Sequence, residues 1–444
     1  MNLPPTIDTT RHDTTRHDTS IVRIAVIGST DGVVNIVNSI GSSGNYPVIS
    51  AIAEHYPAKK FWHHFFRLSI TGKIKLLVKT AKAYRPIRHS TKLLRKVPAV
   101  YFVSPDVTCR TFDLIPQKVF DEADIFLLAC DDDNSEQSYA KNSDYAAALM
   151  KRGISKDNIY VVPPVMYRAE LPVIVDGKLS PLCKKLTDTK PILRYMEYHV
   201  TDFCNLKCKG CGHMANHVKE LEFSGADKFR FSLEKLSEKF ANIETLRIMG
   251  GEPLLCRELH EYINAAHEVF PCSHIKIVTN ALLYKNITDL TVQAVKNAGA
   301  EIQVTQYPPT REIAAEFIAF CQERGLKLHI SRPVTQFFKR FVSGRDADYE
   351  HIWYTCESKY CHFLHGTTFY PCPGLWTHTD PKFIGIDGNN TFPESEAREY
   401  SYDLRQDIND DGWDILSKFE VPMKLCCECG DAKTLFTWES ETGK

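Results

Sequence analysis

The sequence predicts an α/β protein in three parts, because strand and helix patterns alternate over two stretches and a cysteine-rich segment follows them. In the second stretch each strand–helix unit takes about 25–30 residues, as a βαβ crossover requires, so parallel strands are expected. Beyond about Phe341 the periodicity weakens and cysteines become dense. The predicted divisions are a tail at 1–20, α/β domains at 21–185 and 190–345, and a cysteine-rich domain at 346–444.

The composition favours a compact cytoplasmic protein. The chain has 444 residues, enough for several domains with substantial cores. Lys and Arg total 54 against 55 Asp and Glu, so no overall charge favours a polyanionic partner. No run of eighteen apolar residues and no apolar signal core is present, so neither a transmembrane segment nor export is expected. Fifteen cysteines then suit metal ligation in a reducing cytosol better than a disulfide scaffold.

The first domain follows a polar tail in which Asp8–His12 is repeated as Asp13–His17. Such a segment has little to bury, so we expect disorder. An apolar run, Ile21–Ile27, ends at Gly28 and predicts a buried strand. The other predicted elements are strands Ala99–Val103, Ile125–Ala129 and Ile159–Val162 and a helix Tyr139–Arg152. The pattern indicates a Rossmann-like α/β domain.

The turn after the first strand leaves the role of that domain open. Its residues, Gly28–Gly32, do not form the G-x-G-x-x-G phosphate turn. A strand-to-helix turn with no cofactor is therefore supported at least as well as a nucleotide site.

A strongly basic segment lies inside the first domain. Residues 57–98 hold twelve Lys and Arg and no Asp or Glu, with apolar residues interleaved. This pattern predicts an amphipathic helix with a basic face. The candidate partners are a phosphorylated sugar or other anionic ligand, anionic lipid headgroups and nucleic acid. The alternative is a helix packed on its own domain with a solvated basic side.

The second domain shows the most regular alternation. Three motifs described below follow the ends of predicted strands. In parallel α/β barrels, the carboxyl ends of the strands form the rim that carries the active site. The predicted strands are Leu193–His199, Glu244–Met249, Ile275–Val278, Glu301–Thr305 and Lys327–Ile330. The predicted helices are Phe231–Phe240, Glu258–Val269, Asp289–Asn297 and Arg311–Glu323.

Three cysteines follow the first of these strands. Cys204, Cys208 and Cys211 form a C-x3-C-x2-C run, hereafter the cysteine loop. Three thiolates on one loop can hold three irons of a 4Fe–4S cluster and leave the fourth iron open to a small molecule. The alternative is zinc, with His213 or His217 as the fourth ligand.

Two further motifs accompany the cysteine loop, and together the three resemble a known family. Gly250-Gly251-Glu252-Pro253 forms a GGEP turn, and Val278-Thr279-Asn280 ends a predicted strand. With the run from Tyr198 through Cys211 to Asn216, these motifs resemble the radical S-adenosylmethionine superfamily over residues 192–335. The resemblance implies a partial parallel β/α barrel, with the cysteine loop on a 4Fe–4S cluster. Gly250, Gly251, Glu252, Pro253, Thr279 and Asn280 would form the cofactor site.

The resemblance also implies a chemistry. In that superfamily the open iron binds S-adenosylmethionine, and one electron cleaves it to a 5′-deoxyadenosyl radical that takes hydrogen from a substrate. The turn would contact the methionyl amine, Glu252 would help to neutralise it, and Asn280 would bind ribose. One position departs from the superfamily pattern. An aromatic residue is often found just before the third cysteine, and here that position is Gly210. Phe203 and His213 are the candidates to replace it.

The cysteines after residue 346 resemble the short auxiliary-cluster extensions, called SPASM or twitch, of some radical enzymes. By that resemblance a second 4Fe–4S cluster would be held by Cys372, Cys426, Cys429 and either Cys356 or Cys361, with Cys427 spare. A structural zinc site with the same thiolates is the alternative. The remaining cysteines are interpreted as structural, since free cysteine often packs as a small hydrophobe. These are Cys109, Cys130, Cys183, Cys256, Cys272 and Cys321.

The sequence therefore predicts a radical S-adenosylmethionine enzyme supplied with electrons by a reductant such as flavodoxin or ferredoxin. The run from Cys204 to His213 resembles a subgroup of bacterial radical enzymes associated with surface-polysaccharide synthesis. With the basic segment, this resemblance implies a nucleotide sugar or lipid-linked glycan as substrate. Two alternatives stay open: a radical enzyme that modifies a peptide or protein, and a non-catalytic iron–sulfur or zinc protein serving electron transfer or as a scaffold. A carrier does not need a GGEP turn beside three cysteines, which favours the enzyme.

Overall fold

The computed structural model describes most of the chain from residue 173 onward and the sheet of the region before it. The described residues are 24–28, 40, 48–54, 99–103, 117–121, 123–129, 142–162, 173–175, 178–338, 348–383, 385, 394–429 and 435–440. The predicted tail at 1–20, the helix after Gly32 and the basic segment 57–98 lie outside them. The chain divides into two compact units, Met1–Lys190 and Pro191–Lys444.

The first unit contains a six-stranded sheet in the order β3-β2-β1-β4-β5-β8. Strands β1 to β5 are parallel, and β8 pairs antiparallel with β5. An order of 3-2-1-4-5 is that of a Rossmann-type sheet, as predicted. The strands are β1 Ile24–Gly28, β2 Val48–Glu54, β3 Ala99–Val103, β4 Ile125–Ala129, β5 Ile159–Val161, β6 Ile174–Val175, β7 Lys178–Leu179 and β8 Lys184–Lys185.

The described helices of this unit are short. They are α1 Gln117–Asp121 and α2 Asn142–Lys151, with 3-10 turns at Lys156–Asn158 and Leu186–Asp188. The strands β3 and β4 have their predicted bounds. The predicted helix at 139–152 is confirmed within its described part. The buried side chains of β1 and β4 form the core of this sheet, as their continuous apolar runs predict.

The second unit contains an eight-stranded sheet in the order β13-β12-β11-β10-β9-β15-β16-β17. Strands β9 to β13 pair in parallel, as the strand–helix alternation predicts. Their bounds are β9 Ile192–Thr201, β10 Asn242–Gly250, β11 His274–Thr279, β12 Glu301–Val304 and β13 Lys327–Ile330. The parallel α/β character is therefore confirmed, while closure into a partial barrel stays a prediction.

Helices lie between these strands. They are α3 Ala226–Ser237, α4 Leu259–Val269, α5 Asp289–Asn297 and α6 Pro308–Glu323, with 3-10 turns at Pro253–Leu255 and Tyr284–Asn286. Helix α3 begins five residues before its predicted start at Phe231. The backbone N–H of Gly225, which precedes the helix, donates to the Tyr262 hydroxyl of α4 at 2.9 Å. That tertiary contact fixes the helix start and leaves no local signal in the sequence.

Residues after 346 extend the same sheet. Strand β15, His362–His365, runs parallel to β9 on the side opposite β10, and β16 Thr368–Tyr370 and β17 Tyr402–Asp403 follow it. Leu364, Phe369 and Phe419 belong to the same hydrophobic core as β9 and β10. The predicted boundary at 345/346 therefore falls within one compact unit. The other elements are β14 Gln336–Phe338, α7 Tyr349–Thr355, α8 Pro373–Thr379, α9 Glu394–Glu399, α10 Gly412–Phe419, a 3-10 turn Lys424–Glu428 and β18 Leu435–Thr437.

Among the helices that the structure describes, none has the length and apolar character that a membrane crossing requires.

Candidate active site

The cysteine loop leaves the carboxyl end of β9, at the sheet edge where the sequence predicts it. Cys204 is 9% exposed and Cys208 7% exposed, whereas Cys211 is partly exposed. Two residues of the loop have left-handed backbone conformations, Lys207 with φ 50° and Gly210 with φ 70°. The loop curls so that Cys204 and Cys208 lie in one packed cluster with Trp438, and Cys211 packs against that cluster.

N–H groups point at two of the three sulfurs. The Leu206 backbone N–H donates to Cys204 Sγ at 3.5 Å, and the Asn280 side-chain amide approaches the same sulfur at 3.8 Å. The Trp438 indole N–H donates to Cys208 Sγ at 3.2 Å. Donors to sulfur stabilise the thiolate form, which is the form that ligates metals.

Burial opposes the thiolate in the protein alone. It raises the pKa of Cys204 and of Cys208 to about 12. Glu252 adds its negative charge to the effect on the Cys204 pKa. A bound cation lowers the pKa of a thiol that ligates it, so it offsets the effect of burial on Cys204 and Cys208. The site therefore favours a positively charged group beside these sulfurs.

The chemistry of the three thiols fits a cluster. Among the described residues, no three His, Cys, Asp or Glu side chains are placed to hold a single metal ion. A 4Fe–4S cluster does not require them to converge, because each thiolate binds a different iron. Three thiols on one curled loop with donors at two sulfurs therefore fit the cluster that the spacing predicts.

The GGEP turn is joined to the cysteine loop by backbone. Gly251 N–H donates to the Thr201 carbonyl at 2.7 Å, and Glu252 N–H donates to the Phe203 carbonyl at 3.0 Å. A Cβ on Gly251 would lie 2.0 Å from the Phe203 carbonyl oxygen. Gly250, with φ 139°, would place a Cβ 2.1 Å from the Thr201 carbonyl oxygen. In the structure both glycines are required by close approach of the two segments, apart from any contact with a ligand.

Glu252 is completely buried, and its carboxylate joins two segments, its own turn and the end of β11. It accepts hydrogen bonds from Leu254 N–H at 3.0 Å, the Thr279 hydroxyl at 2.6 Å and Asn280 N–H at 2.9 Å. Burial raises its pKa to about 7 against the lowering effect of these donors. The contacts of Glu252 are thus internal and hold the turn to the end of β11, while its predicted role beside a methionyl ammonium stays a prediction.

Asn280 connects the end of β11 to the cysteine loop. Its side-chain amide donates to Asn205 Oδ1 at 2.9 Å, and its Oδ1 accepts from Leu282 N–H at 3.0 Å. The structure therefore brings together the loop, the turn with Pro253, and the Thr279–Asn280 strand end as the sequence predicts. Ribose binding by Asn280 stays a prediction.

The position that departs from the superfamily pattern has an aromatic neighbour from a distant segment. A Cβ on Gly210 would lie 2.5 Å from the ring of Phe436 in β18. Of the two candidates named from the sequence, Phe203 lies under the Lys207 ammonium at 4.1 Å from the ring centre. His213 contacts His199, 2.9 Å between ring nitrogens.

A network of imidazoles and carboxylates beside the loop was missed by the sequence reasoning. His199 and His365 hydrogen-bond the two oxygens of Asp202 at 2.8 and 3.0 Å. Burial alone would raise the pKa of Asp202, but these hydrogen bonds outweigh it and hold the pKa well below its usual range. A signal existed in β9, where Tyr195, Glu197, His199 and Thr201 alternate with apolar residues and so share one polar face.

The later cysteines come from three segments of the second unit. Cys356 ends α7, Cys372 precedes α8, and Cys426 and Cys429 lie in and after the 3-10 turn 424–428. Burial raises the pKa of Cys426 to about 12, with smaller contributions from Cys372, Cys356 and Cys427. A Cβ on Gly374 would lie 3.5 Å from Cys372 Sγ and 3.9 Å from Cys429 Sγ. We call Cys356, Cys372, Cys426, Cys427 and Cys429 the auxiliary cysteine group.

Cys361, the other candidate for the fourth ligand, has neighbours elsewhere. Its thiol interacts electrostatically with Tyr195 and Arg247, which lie on β9 and β10. Among the cysteines interpreted as structural, Cys183, Cys256 and Cys321 are buried, as expected, whereas Cys272 is exposed. Cys109 and Cys130 lie outside the described residues.

Curated proteins share limited segments with this chain. A GTP 3′,8-cyclase from Staphylococcus carnosus is 33% identical over 110 residues, 23% of this chain and 32% of that protein. An S-adenosylmethionine-dependent nucleotide dehydratase from Fibrobacter sp. is 37% identical over 91 residues, 19% of this chain and 26% of the relative. A GTP 3′,8-cyclase from Aquifex aeolicus is 24% identical over 239 residues, 44% of this chain and 72% of the relative. The match thus spans about a third or less of the first two.

Solved structures give more distant likenesses. BtrN in complex with AdoMet and 2-DOIA is 18% identical with a TM-score of 0.33, covering 55% of this chain and 96% of that one. SuiB from Streptococcus suis bound to S-adenosylmethionine is 17% identical with a TM-score of 0.26, covering 53% of this chain and 46% of that one. These likenesses are too distant to carry an argument. No protein-family model matches the chain.

The local matches, with the cysteine loop, the GGEP turn and the strand-end asparagine in one place, make this chain similar to the radical S-adenosylmethionine enzymes. The cofactors of that class are a 4Fe–4S cluster and S-adenosylmethionine.

Proposed function

We propose that this protein cleaves S-adenosylmethionine reductively at a 4Fe–4S cluster and uses the resulting 5′-deoxyadenosyl radical to take hydrogen from a substrate. The single observation that carries the proposal is the joining of the cysteine loop to the GGEP turn through Gly251 and Glu252. Binding of a metal alone requires only the three thiols. The GGEP turn held against them therefore favours a site that also binds a second ligand. The electrons would come from a reductant such as flavodoxin or ferredoxin.

The residues divide the work by their positions. Cys204, Cys208 and Cys211 would hold three irons of the cluster and leave one iron open to S-adenosylmethionine, and the cluster would supply the electron. Gly251 and Glu252 hold the turn against Thr201 and Phe203. The protein's part is thus to bind, orient and exclude water around the reacting groups, as it is for other cofactor enzymes.

A second proposal concerns the auxiliary cysteine group. We infer that Cys356, Cys372, Cys426 and Cys429 hold a second 4Fe–4S cluster, with Cys427 spare. Helix α7, which Cys356 follows, packs on the 3-10 turn that carries Cys426, and this supports Cys356 over Cys361 as the fourth ligand. Zinc is the rival occupant, because it also takes four cysteine thiolates.

The activity is tested by replacing Cys204, Cys208 and Cys211 together with Ala. We expect 5′-deoxyadenosine release by the anaerobically reconstituted protein to be lost, since no cluster can then bind S-adenosylmethionine. Metal at the auxiliary cysteine group should be retained, which shows that the variant has folded. Continued release of 5′-deoxyadenosine by the triple variant would overturn the assignment.

For the substrate we propose a phosphate-bearing molecule, either a nucleotide sugar or a lipid-linked glycan. The support is the basic composition of residues 57–98 and the nucleotides named for the two kinds of curated relative. A phosphorylated ligand should bind less tightly in added salt, because screening weakens its attraction to Lys and Arg.

The substrate class is tested by thermal shift with nucleotide sugars and polyprenyl-linked glycans. We expect a rise in melting temperature that falls when Lys75, Lys79 and Lys82 are changed to Glu. A matched change of Lys235, Lys276 and Lys418, which lie on the second unit, should leave the shift in place. If a peptide raises the melting temperature and these ligands do not, the chain modifies a peptide or protein instead.

A further inference from the structure

A short segment near the end of the chain lies on the cysteine loop. Residues 435–440, which we call the C-terminal cap, include β18, which pairs antiparallel with β14. Lys209 N–H donates to the Glu439 carbonyl at 2.9 Å, and Cys208 and Ser440 form an isolated antiparallel bridge. The Ser440 hydroxyl donates to the Leu206 carbonyl. The cap is thus attached by backbone and side chain to the residues between the first and third cysteines.

Trp438 is the centre of this cap. It is 8% exposed, and its backbone N–H donates to the Thr335 carbonyl at 3.0 Å. Its ring stacks on Tyr307 at 5.8 Å between ring centres and 29° between planes. These contacts fix the indole N–H at 3.2 Å from Cys208 Sγ. The hydrogen bond is therefore preorganised by the packing of the ring.

Phe436 is a second ring of the C-terminal cap that lies against the cysteine loop. The ring of Phe436 occupies the space beside Gly210, where a Cβ would lie 2.5 Å from the ring. It also packs edge-on against Phe337 of β14 at 6.3 Å. With Trp438 it shields one side of the loop, and Gly210 provides the room that this shielding needs.

We propose that Trp438 is a positioning residue that sets the reduction potential of the cluster on the cysteine loop, through its indole N–H bond to Cys208. The inference rests on the proposed function, because it requires the cluster to be present. Hydrogen bonds to ligand sulfurs and exposure to solvent are two of the factors that fix iron–sulfur potentials. A donor stabilises the more negative, reduced state more strongly, so the bond makes the cluster easier to reduce.

The test replaces Trp438 by Phe, which keeps an aromatic ring and removes the N–H. The matched control is Trp413→Phe, a buried tryptophan on α10. The readouts are iron per chain and the midpoint potential of the catalytic cluster, followed by EPR during a redox titration. Both variants should keep the iron content of the unaltered protein. In Trp438→Phe the oxidised-to-reduced ratio at a fixed potential should rise about tenfold, a shift of about 59 mV to more negative potential for one electron.

The outcomes separate the two proposals. Equal potentials in Trp438→Phe, Trp413→Phe and the unaltered protein would overturn the role of Trp438 and leave the proposed function standing. An unaltered protein without a cluster on Cys204, Cys208 and Cys211 would overturn both.

A second measurement does not depend on the folding of a variant. In protein whose tryptophan indoles carry ¹⁵N, pulsed EPR of the reduced catalytic cluster should show a weak ¹⁵N coupling. The coupling should persist in Trp413→Phe, because the donor to Cys208 is Trp438. Absence of any coupling in the unaltered protein would overturn the proposal.

Discussion

The cysteine loop and the auxiliary cysteine group both bring several thiols together, but by different routes. The loop places Cys204, Cys208 and Cys211 within eight consecutive residues after one strand. The auxiliary group draws its thiols from the end of α7, the start of α8 and the segment 424–429. The first arrangement is largely local and is fixed by one strand end and one turn. The second exists only once helices and turns from separate parts of the chain have packed.

The comparison predicts that the two sites can be emptied separately. Changing Cys372, Cys426 and Cys429 to Ala should roughly halve the iron content from about eight per chain, because each 4Fe–4S cluster holds four. The local cysteine loop should keep its cluster and its EPR signal. Iron and zinc analysis of the anaerobically purified variant checks this. Near-stoichiometric zinc in the unaltered protein, with iron confined to one cluster, would show that the second site is a zinc site.

The choice between Cys356 and Cys361 sharpens the description of the second site. Cys356→Ala should lose most of the auxiliary iron, because the helix that Cys356 follows packs on the 3-10 turn carrying Cys426. Cys361→Ala serves as the matched control and should retain that iron, since Cys361 lies near Tyr195 and Arg247. Iron analysis and EPR of the two single variants decide between them. The reverse result would identify Cys361 as the ligand.

The close backbone contact at the first site predicts a strong effect of Gly251→Ala. Its Cβ would lie 2.0 Å from the Phe203 carbonyl, so the turn or the loop must move. We expect a loss of about 3 kcal/mol in the free energy of unfolding, with impaired loading of the catalytic cluster. Gly225→Ala is the control: it has a positive φ but no atom within 4 Å of the added Cβ, and should cost about 1–2 kcal/mol. Urea unfolding measures both, and equal losses would contradict the tight contact.

Glu252 makes the first site sensitive to pH. Its pKa is raised from 4.5 to about 7, so the folded protein binds this proton more tightly than the unfolded chain does. The resulting contribution to stability is full below about pH 4.5 and is lost as pH rises through about 7, amounting to about 3 kcal/mol. Glu252→Gln should remove this contribution to the pH dependence of unfolding between pH 5 and 8.

The same variant tests the role of Glu252 toward the cofactor. We expect weaker binding of S-adenosylmethionine with an intact cluster spectrum. Glu261→Gln, on the helix α4, is the control and should change neither property. Unchanged affinity in Glu252→Gln would limit Glu252 to holding the turn against Thr279 and Asn280.

Features confined to short stretches were predictable from the sequence. The cysteine loop, the GGEP turn and strands such as β13 depend on nearest neighbours and on local periodicity, and the structure has them where predicted. Contacts between distant residues were not predictable. His365 reaches Asp202 from 163 residues away, and Trp438 reaches Cys208 from 230 residues away. The extension of the sheet by β15 was missed for the same reason, since no pattern in a strand identifies its neighbour in space.

The position of Trp438 in the chain has a consequence for the order in which the site is made. The ribosome adds Trp438 230 residues after Cys208. At about 5–20 residues per second, roughly 10–50 s separate the two during synthesis. Throughout that interval the cysteine loop exists without the indole at its second sulfur. Iron delivered while translation continues would therefore meet an uncapped loop, and iron delivered afterwards must displace or pass the cap.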